Sequence, residues 1–274
     1  MTDPTRATGS DQDPRIHFED IHVGFGRGRK RLDVLDGISF DVRHGEFVSV
    51  LGPSGCGKST LLNLAAGFLQ PDTGTVEVDG EVVKGTDARR GVVFQQYAIF
   101  PWLTVEKNIA FGLTLKGNKR PKAETAEVVA RYVDLMGLRG FEKALPKTLS
   151  GGMRQRVALA RAYATDPDVM LLDEPFAALD AQTREFMQEL LHDTSRRDGR
   201  AAMLITHSVE EAIYLSRRIV VLTNRPTRVH EVVDVDVDWP RTPESRHAPA
   251  FIELRQHLEH VMRSMSADRE KEPS

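Results

Sequence analysis

The sequence predicts an α/β fold with a mostly parallel core sheet, an antiparallel β subdomain and a helical subdomain. Three observations carry that prediction. From Asp168 onward the chain alternates strand, helix, strand and helix over 169–172, 182–196, 201–206 and 208–216, the pattern of parallel pairing. Val78-Asp79-Gly80-Glu81 sets an Asp-Gly pair among valines, a tight-hairpin signal that calls for an antiparallel layer. After Phe94 the strand texture gives way, from Gln95 through Trp102, to loop and helix.

Length and composition bound the reading. The chain has 274 residues and enough apolar side chains for a sizeable core. Lys and Arg total 37 against 40 Asp and Glu, a formal charge of −3, so no global basic field points to nucleic acid. A single cysteine, Cys56, excludes an internal disulfide framework and fits a reducing compartment. No apolar stretch approaches the ~20 residues of a membrane-spanning helix. Residues 1–15, rich in Asp, Thr and Pro, read as a disordered tail without the apolar segment of a secretory signal.

In chain order, 16–23 and 34–42 read as strands. The basic run between them, Gly26 to Arg31, reads as a solvated loop, with a nucleic-acid patch as the sharper alternative. The apolar run 47–51 is followed by a glycine-rich turn and a helix over 58–66. Residues 75–83 hold the hairpin and 91–94 a short strand. Pro121 opens a helix that continues through Met136 and stops at Gly137. Ser150 has the chemistry of an N-cap for a helix ending before Asp166-Pro167. Ser208 and Glu211 have capping-box spacing, which places His207 between a strand's carboxyl end and a helix. Asp234, Asp236 and Asp238 alternate with valines and read as a solvated strand face rather than a metal site. Phe251, Leu254, Leu258, Met262 and Met265 repeat at helical spacing and should pack on the domain itself, a partner surface being the alternative.

Three stretches carry chemistry. Gly52-Pro53-Ser54-Gly55-Cys56-Gly57-Lys58-Ser59-Thr60 is a phosphate-binding loop: small residues admit backbone N–H groups to the phosphates, Lys58 reaches the β- and γ-oxygens, and the Ser59 hydroxyl is offered to Mg²⁺. The helix that starts there adds its positive end. Cys56 reads as a structural small residue, with a reactive thiol as the alternative. Val169 to Leu172 is a buried-looking strand that delivers Asp173 and Glu174 to its carboxyl end. Downstream of a phosphate loop, Asp173 is suited to hold Mg²⁺ and Glu174 to orient or deprotonate an attacking water. Ser150-Gly151-Gly152 presents a hydroxyl and free N–H groups at a helix start, a second phosphate-binding surface whose force comes from its position ahead of the two acids.

Taken in order, these stretches resemble the nucleotide-binding subunit of an ATP-binding cassette transporter, over 16–237. The resemblance implies a P-loop NTPase with the Walker A loop at Gly52 to Thr60, the Q-loop glutamine at Gln95, the signature at Leu149 to Met153 and Walker B at Asp173 and Glu174. It likewise identifies Ala178-Leu179-Asp180 as the D-loop, His207 as the switch histidine facing the γ-phosphate, and Phe25 as the aromatic that stacks on adenine. Phe25 stands where tyrosine is usual, and Met153 where glutamine is frequent; neither change removes a needed group. At a strand end, Phe25 has a core residue as its bland reading. By the same resemblance Gln95 joins Ser59 and Asp173 at the metal, and ATP and Mg²⁺ are the cofactors.

Two cassettes then meet head to tail, each ATP lying between one Walker A loop and the other signature, so one chain holds half of each site. The implied partners are a second cassette, in a homodimer, transmembrane permease subunits and, indirectly, a solute-binding protein. Nucleic acid is not expected. The chain would sit peripherally on the cytoplasmic face of the cell membrane. The aromatic run Tyr97 to Leu103 either docks a helix of the membrane partner or forms the insertion's own core. Arg90 to Tyr97 and Thr223-Asn224-Arg225-Pro226 resemble the nitrate, sulfonate and taurine importers. The competing reading is a soluble cassette ATPase acting on nucleic acid or ribosomes, which resemble two fused cassettes. On this reading the ATP-binding domain spans 16–240, with its helical insertion over about 96–165, and 241–274 form a C-terminal helix and tail.

Overall fold

A computed structural model describes residues 14–177 and 179–271. Most of the N-terminal tail and Ala178 of the expected D-loop lie outside them. The chain forms β1 (Pro14–Phe25), β2 (Leu32–Arg43), β3 (Phe47–Leu51), α1 (Lys58–Ala66), β4 (Thr73–Val78), β5 (Glu81–Val82) and β6 (Arg90–Val93). There follow α2 (Val105–Ala110), α3 (Lys122–Leu135), α4 (Gly151–Ala164), β7 (Val169–Asp173), α5 (Ala181–Asp198), β8 (Ala201–Thr206), α6 (Val209–Leu215), β9 (Arg218–Leu222), β10 (Val229–Asp234) and α7 (Pro249–Lys271).

Six strands pair in the order β10-β9-β3-β8-β7-β6, every junction parallel except β10 on β9. The remaining four form an antiparallel sheet, β2-β1-β4-β5. Its hairpin turns at Asp79 and Gly80, both with positive φ (55° and 71°), as a two-residue loop matched to strand twist requires. The period-two rule of a strand divides the core in two. Phe47 and Leu51 of β3, with Met170 and Leu172 of β7 and Ala202 and Leu204 of β8, face the helical side. Val48 and Val50, with Val169, Leu171, Met203 and Ile205, face α1 and the antiparallel sheet. The central strands are buried on both faces, which explains their unbroken apolar runs.

Local signals place most elements. Ser150 caps α4 by accepting the Met153 N–H, and Gly137 ends the α3 turn at φ +61°. The expected capping box at α6 is half formed. Ser208 Oγ accepts the Glu211 N–H, but the buried Glu211 carboxylate accepts from Thr206 Oγ1 at 2.6 Å, not from the cap's own N–H. The helix α2, capped by Thr104, follows an irregular stretch that carries no helical period. Along α7, Phe251, Leu258 and Met265 are buried while Leu254 and Met262 pack partly buried against the same core, so the stripe covers the domain itself. Val235 and Val237 are buried and the alternating Asp234, Asp236 and Asp238 exposed. No described helix is long and apolar enough to cross a membrane.

Candidate nucleotide site

The phosphate loop joins the carboxyl end of β3 to α1, and its glycines are there for steric reasons. Gly55 and Gly57 have φ of +77° and +114°, and a Cβ on Gly57 would lie 2.8 Å from Val34 Cγ1. Gly52, Pro53 and Cys56 are buried beneath the loop, while Ser54, Gly55 and Ser59 are exposed on it. Burial pushes the Cys56 thiol up, which favours the structural reading of that residue over a reactive one. Lys58 is buried, and its Nζ donates to the carbonyls of Gly52 at 2.8 Å and Pro53 at 2.9 Å. The ammonium is thus held across the loop by neutral acceptors rather than by a carboxylate, leaving its charge for an anion.

Two acids arrive from β7, which β8 separates from β3 in the sheet. Asp173, the last residue of β7, accepts the Ser59 hydroxyl at 3.1 Å. Burial raises its pKa, opposed by the Ser59 bond and reinforced by the Glu174 charge. Glu174 follows with φ +43°, a conformation that turns it out of the strand line, and its N–H is held by the Ile205 carbonyl at 2.9 Å. Its carboxylate meets Gln95 Nε2 at 3.3 Å and His207 Nδ1 at 3.2 Å. Residues that are 79 positions apart on one side, Gln95 and Glu174, and 33 on the other, Glu174 and His207, therefore form one polar cluster.

A cavity of about 470 Å³ is lined by Phe25, Leu32, Val34, Ser54, Gly55, Gly57, Lys58, Ser59, Thr60, Gln95, Glu174 and Arg225; Asp173 and His207 reach it only through their contacts with Ser59 and Glu174. Its lining combines apolar side chains of β1 and β2, the phosphate loop, and a carboxylate with an amide. Phe25 is 47% exposed, so it is no core residue. Ser59 Oγ and Asp173 Oδ1 are hard oxygen donors close enough to share one divalent cation, a donor set that fits Mg²⁺.

The expected second phosphate surface does not join this cavity. Ser150 is exposed at the start of α4, and Ser150, Gly151 and Gly152 are absent from the lining. Gly152 has a packing reason as well, since a Cβ there would lie 2.6 Å from Thr183 Cγ2. Leu32, Val34 and Arg225 line the cavity without having been singled out as site residues. The first two look like ordinary strand residues, and Arg225 lies 167 positions beyond Lys58, with no local pattern joining them.

The fold and this cavity define a nucleotide-binding P-loop protein. Comparison narrows the class: the family model described as "ABC transporter" matches residues 35–177. A putative ATP-binding protein of Brucella abortus is 48% identical over 91% of this chain and 94% of its own. A taurine import ATP-binding protein of Roseobacter denitrificans is 45% identical over 86% and 89%, and an aliphatic sulfonates import ATP-binding protein of Bacillus licheniformis 44% over 85% and 89%. Among solved structures, the dimeric post-hydrolysis state of an ATP-binding cassette bound to ADP and Pi superposes with a TM-score of 0.72 at 29% identity, over 80% of this chain and 98% of that one. The chain belongs to the ABC transporter family, as an ATP-binding, ATP-hydrolysing cassette.

Proposed function

We propose that this chain is the ATPase subunit of an importer that takes up a small anionic solute of the sulfonate, taurine or nitrate kind through separate transmembrane subunits. The observation that carries the ATPase part is the Glu174 carboxylate, fixed between Gln95 and His207 at the edge of a cavity floored by the phosphate loop. The importer part is supported by the import proteins at 44–45% identity.

On this reading the loop N–H groups of Gly52 to Thr60 and the Lys58 ammonium bind the phosphates, and Phe25 stacks on the base. Ser59, Asp173 and Gln95 would hold Mg²⁺, which would supply charge neutralisation at the phosphates. Glu174 accepts the proton of the attacking water, and His207 keeps that carboxylate and the γ-phosphate in register. Ser150, Gly151 and Gly152 serve the nucleotide of a second, identical cassette. Tyr97 to Trp102 dock a membrane subunit, and the chain works peripherally at the cytoplasmic face. The domain is 16–240 with its helical insertion at about 96–165.

Reconstitution tests this. The chain should assemble with its permease in liposomes and hydrolyse ATP faster when the binding protein is loaded with an aliphatic sulfonate, taurine or nitrate. A hydrolysis rate indifferent to permease and all three solutes rejects the importer reading while leaving the ATPase intact.

A further inference from the structure

The turn between β9 and β10 is fastened to the phosphate loop more firmly than a surface connection requires. Thr227 is buried, its hydroxyl donates to the Cys56 carbonyl inside the loop, and its N–H donates to Val34 O at 2.9 Å. Its own carbonyl accepts the Asp36 N–H at 2.9 Å. Asn224 Nδ2 donates to Met265 O at 2.6 Å, which ties the other end of the turn to α7. Arg225 sits between these two anchors and lines the nucleotide cavity, where a Cβ built on Gly55 would lie 3.7 Å from its guanidinium nitrogen.

The pairing of this arginine separates it from its neighbours. Arg228, three residues on, is paired with Asp36 at 2.6 Å, and Arg31 with Asp33 and Asp72, both at 2.8 Å. Among the described residues no carboxylate pairs with Arg225. It lies instead beside the phosphate loop that carries buried Lys58 and opens α1, where positive charge gathers and a bound anion is stabilised. The Arg225 side chain is exposed, and the turn that carries it is pinned at both ends beside the loop.

Building on the assignment of the cavity to ATP, we propose that Arg225 is a nucleotide-binding residue whose guanidinium closes on phosphate oxygens of the nucleotide held by its own chain. A guanidinium suits this: it presents several N–H donors in a fixed fork and stays charged at any working pH. The contact adds affinity for phosphorylated nucleotide without taking part in water activation.

The test is equilibrium binding of ADP and of ATP, in EDTA to prevent turnover, by the full-length wild type, Arg225→Ala, Arg225→Gln and Arg225→Lys. We expect Ala and Gln to weaken at least one of the two nucleotides about tenfold at low salt, with Lys recovering part of the loss and high salt narrowing the gap. The nucleotide-free melting temperature should stay at the wild-type value, which a merely structural role would not allow. Two neutral variants guard against one of them folding poorly. Wild-type affinity for both nucleotides in Ala and Gln overturns the assignment of Arg225 alone. If the wild type binds neither nucleotide, the ATPase reading falls with it.

Discussion

The phosphate-loop end of the sheet and the start of α4, the second surface proposed to meet phosphate, are built in opposite ways. At the loop, the polar side chains at its centre are already engaged within the chain: Lys58 on two carbonyls, Ser59 on Asp173, and Glu174 between Gln95 and His207. At α4 the Ser150 hydroxyl caps its own helix and is exposed, outside the cavity. A preorganised half and an outward-facing half are what the proposed shared site asks of each protomer, the start of α4 completing the phosphate contacts of a second copy.

The largest expected effect tests the preorganised half. Glu174→Gln keeps shape and a hydrogen-bond acceptor but removes the base, and steady-state hydrolysis should fall at least ~10²-fold while ATP binding persists. A smaller loss would move the base elsewhere in the cluster. Ser150→Ala tests the outward half. Hydrolysis should drop about tenfold with ADP affinity of the dilute, monomeric chain unchanged, as the role proposed for this hydroxyl at the other protomer's nucleotide requires. Loss of the helix cap costs about 1 kcal/mol, which the melting temperature reports separately. Equal loss of ADP affinity in the monomer would place Ser150 in its own chain's site and dissolve the contrast.

A third region sharpens the comparison, because it faces neither nucleotide. Trp102 is 71% exposed and meets Phe100 at a tilt of 43°, and Phe100 in turn packs on Phe111 with ring centroids 4.4 Å apart. Phe100 is thus the anchor and Trp102 the presented surface, which removes Trp102 from the insertion's core. Trp102→Ala should change stability by less than about 0.5 kcal/mol and leave the isolated chain's hydrolysis nearly unchanged, yet uncouple hydrolysis from transport in the reconstituted complex. Unimpaired coupling would return this surface to solvent.

What the sequence made legible follows the same division. Where a candidate site residue sits at the end of a strong local pattern, its place in the fold could be read: the strand before Gly52, the strand ending in Asp173 and Glu174, and the turn carrying His207 between β8 and α6. Gln95, by contrast, lies in a stretch with no period, and its bond to Glu174 spans 79 positions. Arg225 was still harder to find, because its place depends on Thr227 reaching the Cys56 carbonyl 171 positions away. The Glu211 carboxylate shows the converse. Its spacing from Ser208 satisfied the local rule, but burial made Thr206 the better partner. Local chemistry fixes turns and caps, and the choice among partners is made by the tertiary core.

The smallest predicted effect concerns the cost of preorganisation itself. Burial raises the Asp173 carboxyl pKa, and the neighbouring Glu174 charge reinforces the shift. An acid whose folded pKa lies above its unfolded value binds more protons in the folded state, so stability falls as pH rises from the ordinary carboxylate range through the raised value. Above that window the whole penalty is present, and below the unfolded pKa of about 3.9 it is gone. Asp173→Asn is close to isosteric and still accepts the Ser59 hydroxyl, so it should melt higher than wild type at neutral pH while losing metal-dependent hydrolysis. The stability gap should close on acidification. A gap that persists at acid pH would assign the gain to packing rather than charge. A variant no more stable than wild type would mean that solvent screens this carboxylate, and that the site is held together at no electrostatic cost.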